Sequence, residues 1–169
     1  GVTGADGKVC FNGLNFGLYT VEEIMLEGWY TDGSLTQEVT VDVVGETEVV
    51  TFLNIRLGKI CVFKYDDLNG DGNWDEGEPA VSGVTINLYM GAISEGEEPI
   101  DSGVTGADGK VCFEDLELGS YTVEEVLPDG WYTDGPLTQS ATIDASGETV
   151  NVTFLNIRLG KICVFKYDD

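Results

Sequence analysis

Residues 1–67 recur, without a gap, as residues 103–169. Gly1 to Phe11 reads GVTGADGKVCF, and Gly103 to Phe113 reads the same. About three-quarters of the aligned positions are identical, at an offset of 102 residues. Solenoid repeats are shorter and cannot bury a core alone, whereas a unit of this length is a whole domain. The chain therefore reads as domains in tandem. We place a complete module at 58–159, the C-terminal part of a preceding module at 1–57, and the first strand of a following one at 160–169. The junction Asn54-Ile55-Arg56-Leu57-Gly58-Lys59 has no Pro- or Ser-rich linker. Successive modules are thus expected to abut and form a fairly stiff rod. The chain starts and stops inside the pattern and reads as a fragment, so the lack of a signal peptide or sorting signal carries no information.

Within the module, short β-rich runs alternate with Gly, Asp and Asn turns. The pattern predicts strands at Lys59–Tyr65, Val84–Met90, Ile100–Val104, Lys110–Phe113, Ser120–Val126, Leu137–Asp144 and Thr149–Ile157, and no helical period is sustained. Seven short strands in about a hundred residues predict an all-β, two-sheet sandwich.

The net charge of -23, with eight Lys and Arg and no His, gives a surface that repels phosphate backbones and anionic membranes. Nucleic acid is not an expected partner. A hydrophobic content of 42% argues against acidic disorder. No apolar run reaches the length of a membrane span.

Alternation along the strands singles out three residues, because side chains two apart share a face. The rows Ile60, Val62, Lys64; Tyr121, Val123, Glu125; and Val152, Phe154, Asn156 are each apolar and end on a polar group. Two readings stay open. The polar residues lie at strand ends and reach solvent, or they meet in the core. In the core, burial lowers a Lys pKa and raises a Glu pKa. A neutral Lys64 amine would then attack the Asn156 carboxamide carbon. A protonated Glu125 would polarise that carbonyl and shuttle the proton, and ammonia would leave. The product is an amide crosslink with no buried charge.

Asp67-Leu68-Asn69-Gly70-Asp71-Gly72-Asn73-Trp74-Asp75-Glu76-Gly77-Glu78 has the spacing of a twelve-residue EF-hand-type loop. Asp67, Asn69, Asp71 and Asp75 supply side-chain oxygens at positions one, three, five and nine. Asn73 offers its backbone carbonyl, Gly72 sits at the sharp turn, and Glu78 at twelve binds through both oxygens. The expected cofactor is Ca²⁺ in a structural role, against the alternative of a solvated acidic turn. Trp74 is expected to pack on the sandwich.

The module resembles Cna protein B-type domains, the prealbumin-like (inverse Ig-like) sandwiches of Gram-positive adhesins and pilins, and the related Sdr-type B repeats. The residues that carry the resemblance are KICVFKYDD (59–67), GVTINLY (83–89), GVTGADGKVCF (103–113), GSYTVEEVLPDGW (119–131) and VTFLN (152–156). The resemblance covers the whole chain. It implies tandem seven-stranded sandwiches. In pilin-type members a first-strand Lys bonds to a last-strand Asn with help from a Glu in a Y-x-x-x-E strand. Those positions fall on Lys64, Asn156 and Glu125, the three that alternation selects. In the partial modules, Glu23 and Asn54 would serve a Lys before residue 1, and Lys166 an Asn beyond residue 169. The same arrangement makes the strands of Cys61 and Cys112 neighbours with both side chains outward, so a Cys61–Cys112 disulfide is geometrically reasonable. Two reduced thiols are the alternative; Cys10 and Cys163 would pair outside the chain. A disulfide would imply an oxidising, extracellular setting.

The functional expectation is a structural module of an extracellular or cell-surface stalk, fibre or pilus-like filament, partnered by neighbouring modules. It is not an enzyme, beyond one bond formed on itself. The alternative is an adhesin repeat that itself binds a host protein or glycan. Near-identity of the two copies, loops included, favours a spacer, since binding repeats vary their exposed loops. No carboxylate pair is nominated for glycoside hydrolysis.

Overall fold

The computed structural model describes residues 1–168. The chain divides into two compact units, Gly1–Ile55 and Arg56–Asp169.

The first unit holds β1 (Gly17–Glu22), β2 (Trp29–Tyr30) and β3 (Thr36–Val41), and β4 (Ile55–Arg56) straddles the division. Strands β1 and β3 form an antiparallel pair. Many of this unit's apolar side chains are exposed, Leu18, Ile24 and Val44 among them.

The second unit is a complete sandwich. Its strands are β5 (Gly58–Asp66), β6 (Thr85–Met90), β7 (Asp101–Val104), β8 (Lys110–Leu116), β9 (Gly119–Glu125), β10 (Trp131–Tyr132), β11 (Thr138–Ile143) and β12 (Thr149–Arg158). All seven expected strands are present, and β10 is an eighth. One sheet has the order β10-β12-β5-β8, the other β11-β9-β6-β7. Neighbours are antiparallel except β5 and β12, which run parallel from Lys59 opposite Thr149 to Asp66 opposite Asn156.

The core lies between the sheets. Ile60, Val62 and Phe113 of one sheet meet Ile86, Leu88, Tyr121, Val123 and Ile143 of the other, with Val152 and Phe154 from β12. Every one is buried, so the alternation read from the sequence is the inward face. Burying these side chains contributes about 1.5–3 kcal/mol for each large aliphatic or aromatic group. Trp131 packs on the edge of this core, and Arg158 lies over its ring at 4.8 Å.

The repeat allows identical sequences to be compared in two settings. KICVFKYD is strand at 59–66 and carries no regular structure at 161–168. GKVCF has no regular structure at 7–11, yet Lys110–Phe113 begins β8. Pairing partners, not local propensity, decide these strands. Thus the strand expected from residue 160 onward does not form among the described residues.

Cys61 and Cys112 stand opposite each other on β5 and β8 and form a disulfide, with Cα atoms 4.1 Å apart. Both share the parity of the outer face, but Cys61 is buried there, between Cys112 and Asn151 of the flanking strands. Cys10 and Cys163 are free and exposed. The bridge closes a sequence separation of 51 residues, and cross-links of this kind stabilise by about 2–4 kcal/mol. The Cys61→Ser/Cys112→Ser chain is expected to lose that much unfolding free energy in a urea titration; an unchanged midpoint would show that the bridge constrains nothing.

Candidate functional site

Lys64, Glu125 and Asn156 come together inside the sandwich. Lys64 and Asn156 are 0% exposed and Glu125 is 2% exposed, which rules out the solvent-reaching reading of the strand ends. Their positions follow from the sheet order. Lys64 lies near the C-terminal end of β5, and Asn156 two residues further along the parallel ladder of β12. Glu125 ends β9 in the opposite sheet, with its backbone N–H held by the Leu137 carbonyl. Gly109 seats the lysine: Lys64 N–H donates to the Gly109 carbonyl at 2.8 Å. A Cβ on Gly109 would lie 2.5 Å from the Lys64 carbonyl oxygen, and its φ of +70° is one that L side chains rarely adopt.

Asn156 Nδ2 donates a short hydrogen bond to Glu125 Oε1. Lys64 Nζ is 3.9 Å from the same Oε1, too far for a hydrogen bond. It donates instead to the carbonyls of Tyr65 at 3.0 Å and Phe154 at 3.3 Å. Asn156 Oδ1 and Glu125 Oε2 are buried without a partner. Each such orphan costs about 1–3 kcal/mol. The first unit repeats half of this arrangement: Asn54 Nδ2 donates to Glu23 Oε1 at 2.5 Å, and Asn54 Oδ1 and Glu23 Oε2 are likewise unpartnered.

Burial governs the charges. Desolvation lowers Lys64 to about 8, against the opposing pull of Glu125, Asp66 and Asp67. Desolvation pushes Glu125 up, partly countered by Lys64 and by the Asn156 hydrogen bond. Both shifts favour a neutral amine beside a neutral acid. Asp66 was not singled out in the sequence. It is buried and takes Arg158 Nε on Oδ2 at 2.7 Å. The backbone acceptors on Tyr65 and Phe154 were equally illegible, since any residue type supplies a carbonyl.

The acidic loop is a compact turn joined to the end of β5. Asp67 is buried; its Oδ1 accepts from Gly70 and Asp71 N–H, and its Oδ2 from Gly72 N–H. Glu78, also buried, takes Leu68 N–H on Oε1 and Asp75 N–H on Oε2. Asn69 Nδ2 stands 3.2 Å from Asp71 Oδ2 and 2.9 Å from Asp75 Oδ2. Positions three, five and nine therefore converge, with an Asn69 N–H donor between the Asp71 and Asp75 carboxylates. The Asn73 side chain turns back on Asp71. Among the described residues no three His, Cys, Asp or Glu are gathered closely enough to hold a metal by themselves. The donor set fits a hard cation only with Asn69 and backbone oxygen included. Trp74 is half-exposed and packs on the Tyr65 ring at 5.4 Å rather than on the core.

A profile of the SdrD B-like domain matches residues 57–161. The chain belongs to this family. It is similar to serine-aspartate repeat-containing protein D of Staphylococcus aureus (strain Newman), 32% identical over 142 residues, covering 76% of this chain and 10% of that protein. It is also similar to serine-aspartate repeat-containing protein F of Staphylococcus epidermidis (strain ATCC 12228 / FDA PCI 1200), 31% identical over 161 residues, covering 87% of this chain and 10% of that one. The chain thus spans about a tenth of the length of the relatives it matches. Among solved structures, the shaft pilin SpaA of Lactobacillus rhamnosus GG superposes with a TM-score of 0.51 at 15% identity, over 62% of this chain and 52% of that one. That likeness bears on the fold alone. The SdrD B-like domain is a structural module, not an enzyme acting on a separate substrate.

The lowered Lys64 fixes the sign of a pH effect wherever the amine is free. Between about 8 and the ordinary 10.5 the unfolded chain binds the proton that the folded chain has lost. Stability therefore rises with pH across that window. The raised Glu125 acts oppositely, from 4.5 upward, and is present in both chains compared below. In an Asn156→Ala chain, which has no carboxamide to attack, the urea midpoint is expected to rise from pH 8 to pH 10. Adding Lys64→Met should flatten that rise. Equal slopes in the two chains would mean that Lys64 is not desolvated.

Proposed function

We propose that the chain is part of a load-bearing spacer in an extracellular stalk or pilus-like fibre at a cell surface. Neighbouring modules are its partners. Each complete module is braced by its disulfide, by a Lys64–Asn156 amide and by Ca²⁺ in the 67–78 loop. The observation that carries this reading is the burial of Lys64, Glu125 and Asn156 at the shared end of the first and last strands.

In the crosslinking step the neutral Lys64 Nζ forms a bond to Asn156 Cγ, and the Cγ–Nδ2 bond breaks. Protonated Glu125 supplies a hydrogen bond to Asn156 Oδ1 through its otherwise orphaned Oε2, which polarises the carbonyl. It then relays the amine proton to Nδ2, and ammonia leaves. One secondary amide replaces an amine and a primary amide, and no charge remains buried. Burial of all three groups excludes competing water.

When bound, Ca²⁺ would supply positive charge to a cluster of carboxylates that otherwise repel. Asp67, Asn69, Asp71, Asp75, Glu78 and the Asn73 carbonyl would hold it. The residues' own task is to fix the excursion between β5 and β6.

Two measurements test the reading. The intact mass of the chain should fall by about 17 Da relative to its sequence, from lost ammonia, after the disulfide has been reduced. Lys64→Ala and Glu125→Gln should each restore the full mass; full mass in the unaltered chain would sink the crosslink. Calcium at about a hundred times its dissociation constant should stabilise by about 2.7 kcal/mol. The Asp71→Asn/Asp75→Asn chain should show no such gain, and absence of the gain in the unaltered chain would remove Ca²⁺ from the proposal.

A further inference from the structure

The acidic loop and the buried triad share their scaffolding. Lys64 lies three residues before the first residue of the loop, Asp67, on the same strand end. Asp67 N–H donates to the carbonyl of Asn156 at 2.8 Å, so the loop's first residue is bonded to the residue that would lose its amide nitrogen. The other end of the loop returns to the same place. Directly after Glu78, Asp66 N–H donates to the Pro79 carbonyl at 2.9 Å, and Val81 N–H to the Lys64 carbonyl at 2.9 Å. Tyr65 and Ala80 form a bridge between these two bonds. Glu78 and Asp67 hold the two ends together through backbone N–H groups inside the loop. Residues 64–67 are therefore clamped between the loop's exit and the end of β12.

The loop's two ends thus bear on the end of β5, and with it on Lys64, where it meets the end of β12. Opening of the loop would free the Asp67–Asn156 and Asp66–Pro79 bonds, leaving the end of β5 held by its ladder to β12 and by the Arg158–Asp66 ion pair. Attack of an amine on a carboxamide is sensitive to placement, since a misplacement of about 1 Å costs on the order of a hundredfold in rate.

We propose that closure of the 67–78 loop around a divalent cation is what seats Lys64 against Asn156, so that crosslinking in this module is calcium-dependent. This rests on the crosslink and the calcium loop proposed above. The cation takes no part in the bond change; its effect passes through the backbone of Asp66 and Asp67.

The full chain, unfolded in urea with a chelator and a reductant before any crosslink has formed, is refolded with either Ca²⁺ or EGTA, and intact mass is followed in time. Tryptophan fluorescence reports refolding independently. The mass loss of about 17 Da should appear on the order of tenfold faster with Ca²⁺ than with EGTA. The Asp71→Asn/Asp75→Asn chain alters only exposed loop residues; it should fold and crosslink at the EGTA rate in both buffers.

Equal rates in the unaltered chain with and without Ca²⁺ would overturn the coupling while leaving the crosslink standing. The coupling would equally fall if the double variant were still accelerated by Ca²⁺. Full mass under every condition would overturn both the coupling and the crosslink. Crosslinking without any stabilisation by Ca²⁺ would overturn the coupling and the calcium loop, and leave the crosslink. An accelerated loss in the unaltered chain alone supports the proposal.

Discussion

The parallel ladder between β5 and β12 is the contact on which the second unit depends. It joins the beginning of the module to its end; β8 pairs along the other side of β5, and β10 pairs with the last two residues of β12. It places Ile60 and Val62 beside Val152 and Phe154 at the centre of the core. It also carries Lys64 and Asn156 inward on one face, and sets the disulfide on the other face of the same strand. Because parallel pairing needs a long crossover, nearly the whole module lies between these partners. Every other strand is assembled within that excursion.

Burying a lysine, a glutamate and an asparagine together runs against the ordinary composition of a core. The surrounding structure deals with this by suppressing charge rather than pairing it. Lys64 Nζ rests on two carbonyl groups, and Glu125 keeps the Asn156 amide rather than the amine within hydrogen-bond reach. Two oxygens remain without partners. Such a cluster is a weak contribution to stability as it stands.

Much of this was legible in the sequence. Strict alternation marked the inward rows, and the polar residue at the end of each row marked the triad. What alternation could not supply was depth. Whether Lys64 reaches solvent depends on what lies over the strand end, which the row of side chains does not itself show. Cys61 shows the same limit: its parity puts it on the outer face, yet flanking strands bury it. The eighth strand, Trp131–Tyr132, is too short to show a period. The clearest case is KICVFKYD, which is one sequence with two outcomes. A strand that lies between two others is specified by those neighbours, and no local reading of its own residues reveals whether they are present.

The direction of the β5–β12 ladder has a mechanical consequence. Tension on the chain enters at Gly58 and leaves at Arg158, at opposite ends of two adjacent strands that point the same way. Pulling on these ends slides the strands past one another. All the register pairs from Thr149–Lys59 to Asn156–Asp66 are then strained together, in shear, rather than peeled one after another. An antiparallel hairpin loaded at its open end would unzip bond by bond. The topology alone thus gives the sandwich a resistance to extension that adds to any covalent tie.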